Sequence, residues 1–119
     1  MKIVLIFLFF VSNLISNLNA EDFISKAEYG KMLYQNPRGV GCDKCHGKKG
    51  EGMLIAKYKN FDKKAGKVVN VELKAPKIND LELDEFRGAI RDSKGMMPTY
   101  FLTDGEIISL YEYLTNLKK

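Results

Sequence analysis

Tryptophan is absent from this 119-residue chain, histidine occurs once, cysteine twice and proline three times. Two cysteines close one bridge at most, which excludes a scaffold stapled by several disulfides. With a single histidine there is no second Cys/His cluster to complete a tetrahedral zinc site. The formal net charge is only +4, and no long run of Lys or Arg stands out. Nucleic-acid binding by charge alone is excluded on that ground. Repeats, low-complexity tracts and linkers are also missing, and the length allows one domain. A core of that size is marginal unless a cofactor, metal or partner adds to it.

What is present begins with a leader. Lys2 is followed by an unbroken apolar run over residues 3–11, then a polar-leaning stretch that ends at the small residue Ala20. This is the pattern of a secretory signal peptide over 1–20, leaving a domain over 21–119. An uncleaved membrane anchor is the competing reading, but Ser12, Asn13, Ser16 and Asn17 break the span. No cysteine lies near Ala20, so a lipid anchor has no attachment point. The expected location is the periplasm, where a pair of free thiols does not stay reduced unless it is occupied.

Beyond the leader the pattern is helical with one exception. Phe23, Ile24, Ala27, Gly30, Leu33 and Tyr34 follow helical spacing until Pro37 and Gly39 stop them. Leu83, Phe86, Ala89 and Ile90 mark a second helix face over 83–92. Thr103 and Glu106 form a capping box for a third helix carrying Ile107, Leu110, Tyr113, Leu114 and Leu117. The exception is the middle of the chain. There a Lys-rich turn with Gly66 separates the apolar run 53–58 from Val69, Val71 and Leu73, which alternate with period two, as in a short β-hairpin. The expected class is all-α, with three or more helices and room for that hairpin.

The chemistry sits in Cys42-Asp43-Lys44-Cys45-His46. The pattern C-x-x-C-H is the attachment signature of c-type haem. Residues three apart on a helical turn share a face, so two thiols can add to the two vinyl groups on one porphyrin edge. The adjacent His46 can then give iron its imidazole ligand. The motif uses the chain's only two cysteines and its only histidine. A thioredoxin-type redox disulfide needs a βαβ context that is not visible, and a disulfide closing so short a loop stabilises little. With no second histidine, a sixth iron ligand would come from Met32, Met53, Met96 or Met97. Met32 reads as core packing. Met53 lies too close to His46 in sequence to reach the opposite haem face easily. Met96 and Met97 sit in a loop between helices that can fold over it.

The whole chain after the leader resembles a small bacterial class I cytochrome c with one haem. The resemblance rests on the N-terminal helix, Cys42-x-x-Cys45-His46-Gly47, and Met97-Pro98-Thr99-Tyr100 before a C-terminal helix. It implies a cytochrome c fold around one covalent haem c and its iron. It also implies Cys42 and Cys45 as the attachment residues, His46 as one axial ligand, and Met97, directly before the proline, as the other. Gly30 and Tyr34 match the family's contact between first and last helices, with Leu110 and Tyr113 as partners. One departure is the missing Gly-Pro-x-Leu stretch, whose proline carbonyl accepts the histidine ring N–H. Ala75-Pro76 is the nearest substitute, and the acceptor stays open. The Lys-rich middle segment is also longer than the family pattern, with no role assigned.

Charge is uneven along the chain. Residues 42–77 hold ten lysines against four acids, and residues 78–117 hold eight acids against three basic groups. The resemblance implies electron shuttling between membrane or periplasmic redox complexes, and the charge asymmetry points to docking through the Lys-rich haem side, steered by the dipole. No enzyme activity, small-molecule substrate or nucleic acid is expected. Two rivals remain: a haem sensor whose Met97 is displaced by a small ligand, and a non-haem disulfide or metal module.

Overall fold

A computed structural model describes residues 23–118, and the leader 1–20 lies outside the described residues. Four helices and one hairpin follow in order: α1 (Lys26–Gln35), α2 (Asp43–His46), β1 (Met53–Asp62), β2 (Lys67–Ala75), α3 (Leu83–Arg91) and α4 (Asp104–Asn116). Both long helices start with complete capping boxes. Ser25 accepts from the Glu28 amide in α1, and Thr103 accepts from the Glu106 amide in α4. Each box satisfies two of the backbone donors that a helix start leaves unpaired. Among the described residues no helix is long and apolar enough to cross a membrane.

The core lies where α1 and α4 cross and α3 closes over them. Leu33, Tyr34, Phe86, Ile90, Ile107, Leu110 and Leu114 are its buried apolar members. Gly30 makes the crossing possible. A Cβ there would overlap the carbonyl oxygen of Ser109 and stand 3.0 Å from Tyr113 Cβ. The Tyr34 and Tyr113 rings meet with centroids 5.6 Å apart, tilted by 52°, a geometry favoured by ring quadrupoles. Tyr34 and Leu110 thus join the contact the sequence reading proposed, and Ser109 adds a backbone surface that apolar spacing cannot show. Met32 is corrected: it is 55% exposed on α1 and belongs to no core. Only one face of that helix meets α4, and Met32 is off it.

The hairpin expected after the site is present, and it is long. β1 and β2 pair antiparallel from Met53↔Ala75 to Asp62↔Lys67, with an irregularity between Leu54 and Ala56. The Asp62 carboxylate accepts from the amides of Lys64 (2.8 Å) and Ala65 (3.1 Å). Gly66, at φ +62°, completes the turn. Such an Asx turn followed by a left-handed glycine is a common way to reverse a strand. The base is closed by the Ile78 amide donating to the Gly50 carbonyl at 2.8 Å. The strands are therefore an excursion from a loop already tied at its neck.

Candidate functional site

The short helix α2 carries the three chemistry-bearing residues of the motif. The amides of Cys45 and His46 both donate to the Cys42 carbonyl, at 3.3 and 2.8 Å. This single turn directs both thiols and the imidazole to one cavity of about 710 Å³. Its walls include Cys42, Cys45, His46, Ile55, Leu73, Ala75, Pro76, Gly88, Ala89, Met96, Met97 and Tyr100. A volume within the range of about 300–1,000 Å³ and mostly apolar walls suit a bound organic group. Burial pushes the Cys42 thiol up to about 11, because a thiolate in apolar surroundings loses its hydration.

His46 is 7% exposed, and its Nδ1 lies 2.8 Å from the Pro76 carbonyl oxygen. A carbonyl only accepts, so Nδ1 carries the proton and Nε2 keeps its lone pair. An imidazole fixed in tautomer and orientation this way is ready to ligate a metal through Nε2. Pro76 is the acceptor that the sequence left open. Seen along the chain it is displaced by the whole hairpin, yet the tied neck returns it to His46. Gly52 permits the approach. At φ +80° it sits where a Cβ would stand 2.9 Å from the Ala75 carbonyl oxygen and 3.0 Å from the Pro76 carbonyl carbon.

The motif is clamped from the helical body as well. The buried Tyr34 hydroxyl donates to the Gly47 carbonyl at 2.6 Å. Burial raises its pKa well above the usual phenol range, so it stays a donor. Met96 and Met97 both line the cavity but differ in setting: Met97 is half-buried against the core, and Met96 is 75% exposed. Met53 is not among the lining residues, nor is Met32.

Several residues that position the methionine loop escaped the sequence reading. The Tyr100 hydroxyl donates to the Val40 carbonyl at 2.6 Å, and Arg38 donates to the Phe101 carbonyl at 2.9 Å. Arg38 also pairs with Glu106 at 2.7 Å from a left-handed backbone at φ +62°. Ser93 and Thr99 hydroxyls meet at 3.0 Å across the loop. No periodicity or motif marks Arg38, and the motif that contains Tyr100 does not show its bond to Val40; both contacts join chain segments about 60 residues apart.

The cytochrome c family model matches residues 27–118. The chain belongs to the cytochrome c family. No curated protein and no solved structure matches it. Membership makes this cytochrome a haem c protein of electron transfer, with haem iron as its metal. The cavity fits that group in three respects: two thiols and the His46 imidazole line it, the His46 Nδ1 is held by Pro76, and the rest of the lining is mostly apolar. Among the described residues there is no cluster of three His, Cys, Asp or Glu that would hold a separate metal ion.

Proposed function

We propose that this cytochrome is an exported, periplasmic one-electron carrier with His/Met ligation, in which Cys42 and Cys45 hold the haem covalently. The observation that carries the reading is the Pro76–His46 hydrogen bond at 2.8 Å, which leaves Nε2 free on the cavity that Met97 also lines. When bound, the haem supplies iron that alternates between Fe(III) and Fe(II). The chain's own residues do the rest. Cys42 and Cys45 fix the porphyrin edge, and the Pro76 carbonyl holds His46 in one orientation and raises its basicity. A Met97 thioether on the iron would favour Fe(II) and raise the potential. Were His46 and Met97 both to ligate the iron, they would leave it no open position for a substrate, in keeping with a carrier rather than an enzyme.

Met97 is favoured over Met96 by its half-buried setting and by Pro98, which biases the preceding residue toward extended backbone. The lysines of residues 42–77 supply a basic side for docking redox partners, which are larger membrane or periplasmic complexes. The deciding experiment is the visible spectrum of the variants. Met97→Ala should abolish the weak sulfur-to-iron charge-transfer band, lower the potential and admit carbon monoxide, with Met96→Ala leaving all three unchanged. The reverse result moves the ligand to Met96. A wild-type spectrum already sensitive to carbon monoxide favours a sensor. Haem extractable by acid-acetone from both Cys42→Ala and Cys45→Ala, and equally from wild type, refutes covalent attachment.

A further inference from the structure

The outer half of the hairpin does nothing for the cavity. Ile55, Leu73 and Ala75 line the cavity, whereas no residue from Ala56 to Glu72 does. At about 3.4 Å per residue, Phe61 stands some 20 Å along β1 from Ile55. Two strands alone are marginal in water, so an isolated ribbon this long, outside any core, calls for a role.

The tip combines two kinds of side chain. Phe61 and Val68 are opposite each other on one face, 56% and 61% exposed. Around them Lys59, Lys63, Lys64 and Lys67 are exposed, and none has an ion pair among the described residues. The two acids of the hairpin are already engaged. Asp62 is bonded to the turn amides, and Glu72 is held by Lys57 at 2.9 Å and Lys74 at 2.7 Å. The tip is thus a small apolar point among four unpaired lysines and one carboxylate, with a net charge of +3.

Lysines along open strand edges oppose pairing with the same edge of a second copy. The tip is also convex and narrow, and a stable protein interface needs about 800 Å² from each partner. A fluid surface makes neither demand. We propose that the hairpin tip docks the cytochrome on a bilayer carrying anionic phospholipid headgroups, with Phe61 and Val68 entering the interface and the four lysines pairing with the headgroups. Each lysine near such a surface adds attraction that salt screens, and the aromatic ring suits the headgroup level. The proposal does not depend on which residue is the sixth ligand.

The test is sedimentation of the full-length holoprotein with phosphatidylcholine vesicles, with and without phosphatidylglycerol, read by haem absorbance in the pellet. A retained leader, with its apolar residues 3–11, would partition into either bilayer, so the readout is the difference between the two. That difference should be large at low salt and vanish at high salt. K63Q/K64Q should reduce it about 30-fold, and Phe61→Ser about tenfold. K26Q/K31Q, on α1, should leave it unchanged, and an unaltered visible spectrum in each variant checks the fold. Equal partition on the two vesicle types overturns the proposal, as does wild-type behaviour of K63Q/K64Q or an equal loss in K26Q/K31Q. If K63Q/K64Q loses retention on immobilised polyglutamate but keeps vesicle binding, the tip reads an acidic protein surface and the membrane reading fails.

Discussion

The α1–α4 crossing and the β1–β2 hairpin are built from similar numbers of residues and held by opposite means. The crossing is a contact between surfaces distant in sequence: Gly30 lets the Ser109 backbone approach, and Tyr34, Ile107, Leu110 and Leu114 are shielded from water. The hairpin is a local structure, held by its ladder, its Asx turn and cross-strand pairs such as Tyr58↔Val71 and Phe61↔Val68. Burial scales with area removed from water, but a cross-strand pair contributes only about 0.2–1 kcal/mol. The crossing therefore tolerates no added atom, and the outer hairpin tolerates change freely. The haem cavity takes one wall from the base of the hairpin and the others from α2, α3 and the methionine loop; no residue of α1 or α4 lines it.

The sharpest way to break this contrast is Gly30→Ala. Its new Cβ meets backbone rather than a movable side chain, and overpacking of this kind costs about 3 kcal/mol or more. Thermal or urea unfolding of the holoprotein checks it; unchanged stability would mean the helices can separate without loss. Tyr34→Phe comes next. It removes the donor to Gly47 but keeps the ring on Tyr113. About 1–2 kcal/mol should be lost, accompanied by a shift in reduction potential because Gly47 directly follows His46.

A smaller effect is expected from acid. The Arg38 guanidinium and the Thr103 amide hold Glu106 at about 2, below its ordinary 4.5. A carboxylate whose folded value is depressed adds stability above its unfolded value and loses it as pH falls through the folded one. Wild type should therefore lose stability between about pH 4.5 and 2, and Glu106→Gln should flatten that part of the profile in acid-titrated melting. The least effect belongs to the hairpin. Replacing residues 57–72 by a tight turn should change stability by no more than about 0.5 kcal/mol and leave the visible spectrum intact. A lost haem spectrum would show that the outer ribbon supports the cavity after all.

The helices and the motif were legible because their signals are local. Capping boxes need four consecutive residues, apolar spacing records one helix face, and C-x-x-C-H occupies a single turn. The long strand β1 was less legible, since Met53–Tyr58 lacks a period-two pattern; its side chains are exposed on both faces, and nothing selects one face as apolar. The loop clamps from Arg38 and Tyr100 were not legible at all.

The sequence by itself determined where α3 and α4 start, which residues bear thiol and imidazole, and that they share one turn. These follow from bonds and spacings within a few residues, which every copy of the chain must obey. Helix α1 starts at Lys26, after Phe23 and Ile24, which helical spacing includes. Only the tertiary structure decided that Pro76 holds His46, that Met97 is half-buried and Met96 exposed, and that Ser109 faces Gly30. Those are meetings of segments up to about 80 residues apart. They are selected by how whole surfaces pack and how a hairpin neck is tied, and neither leaves a mark in the neighbouring letters.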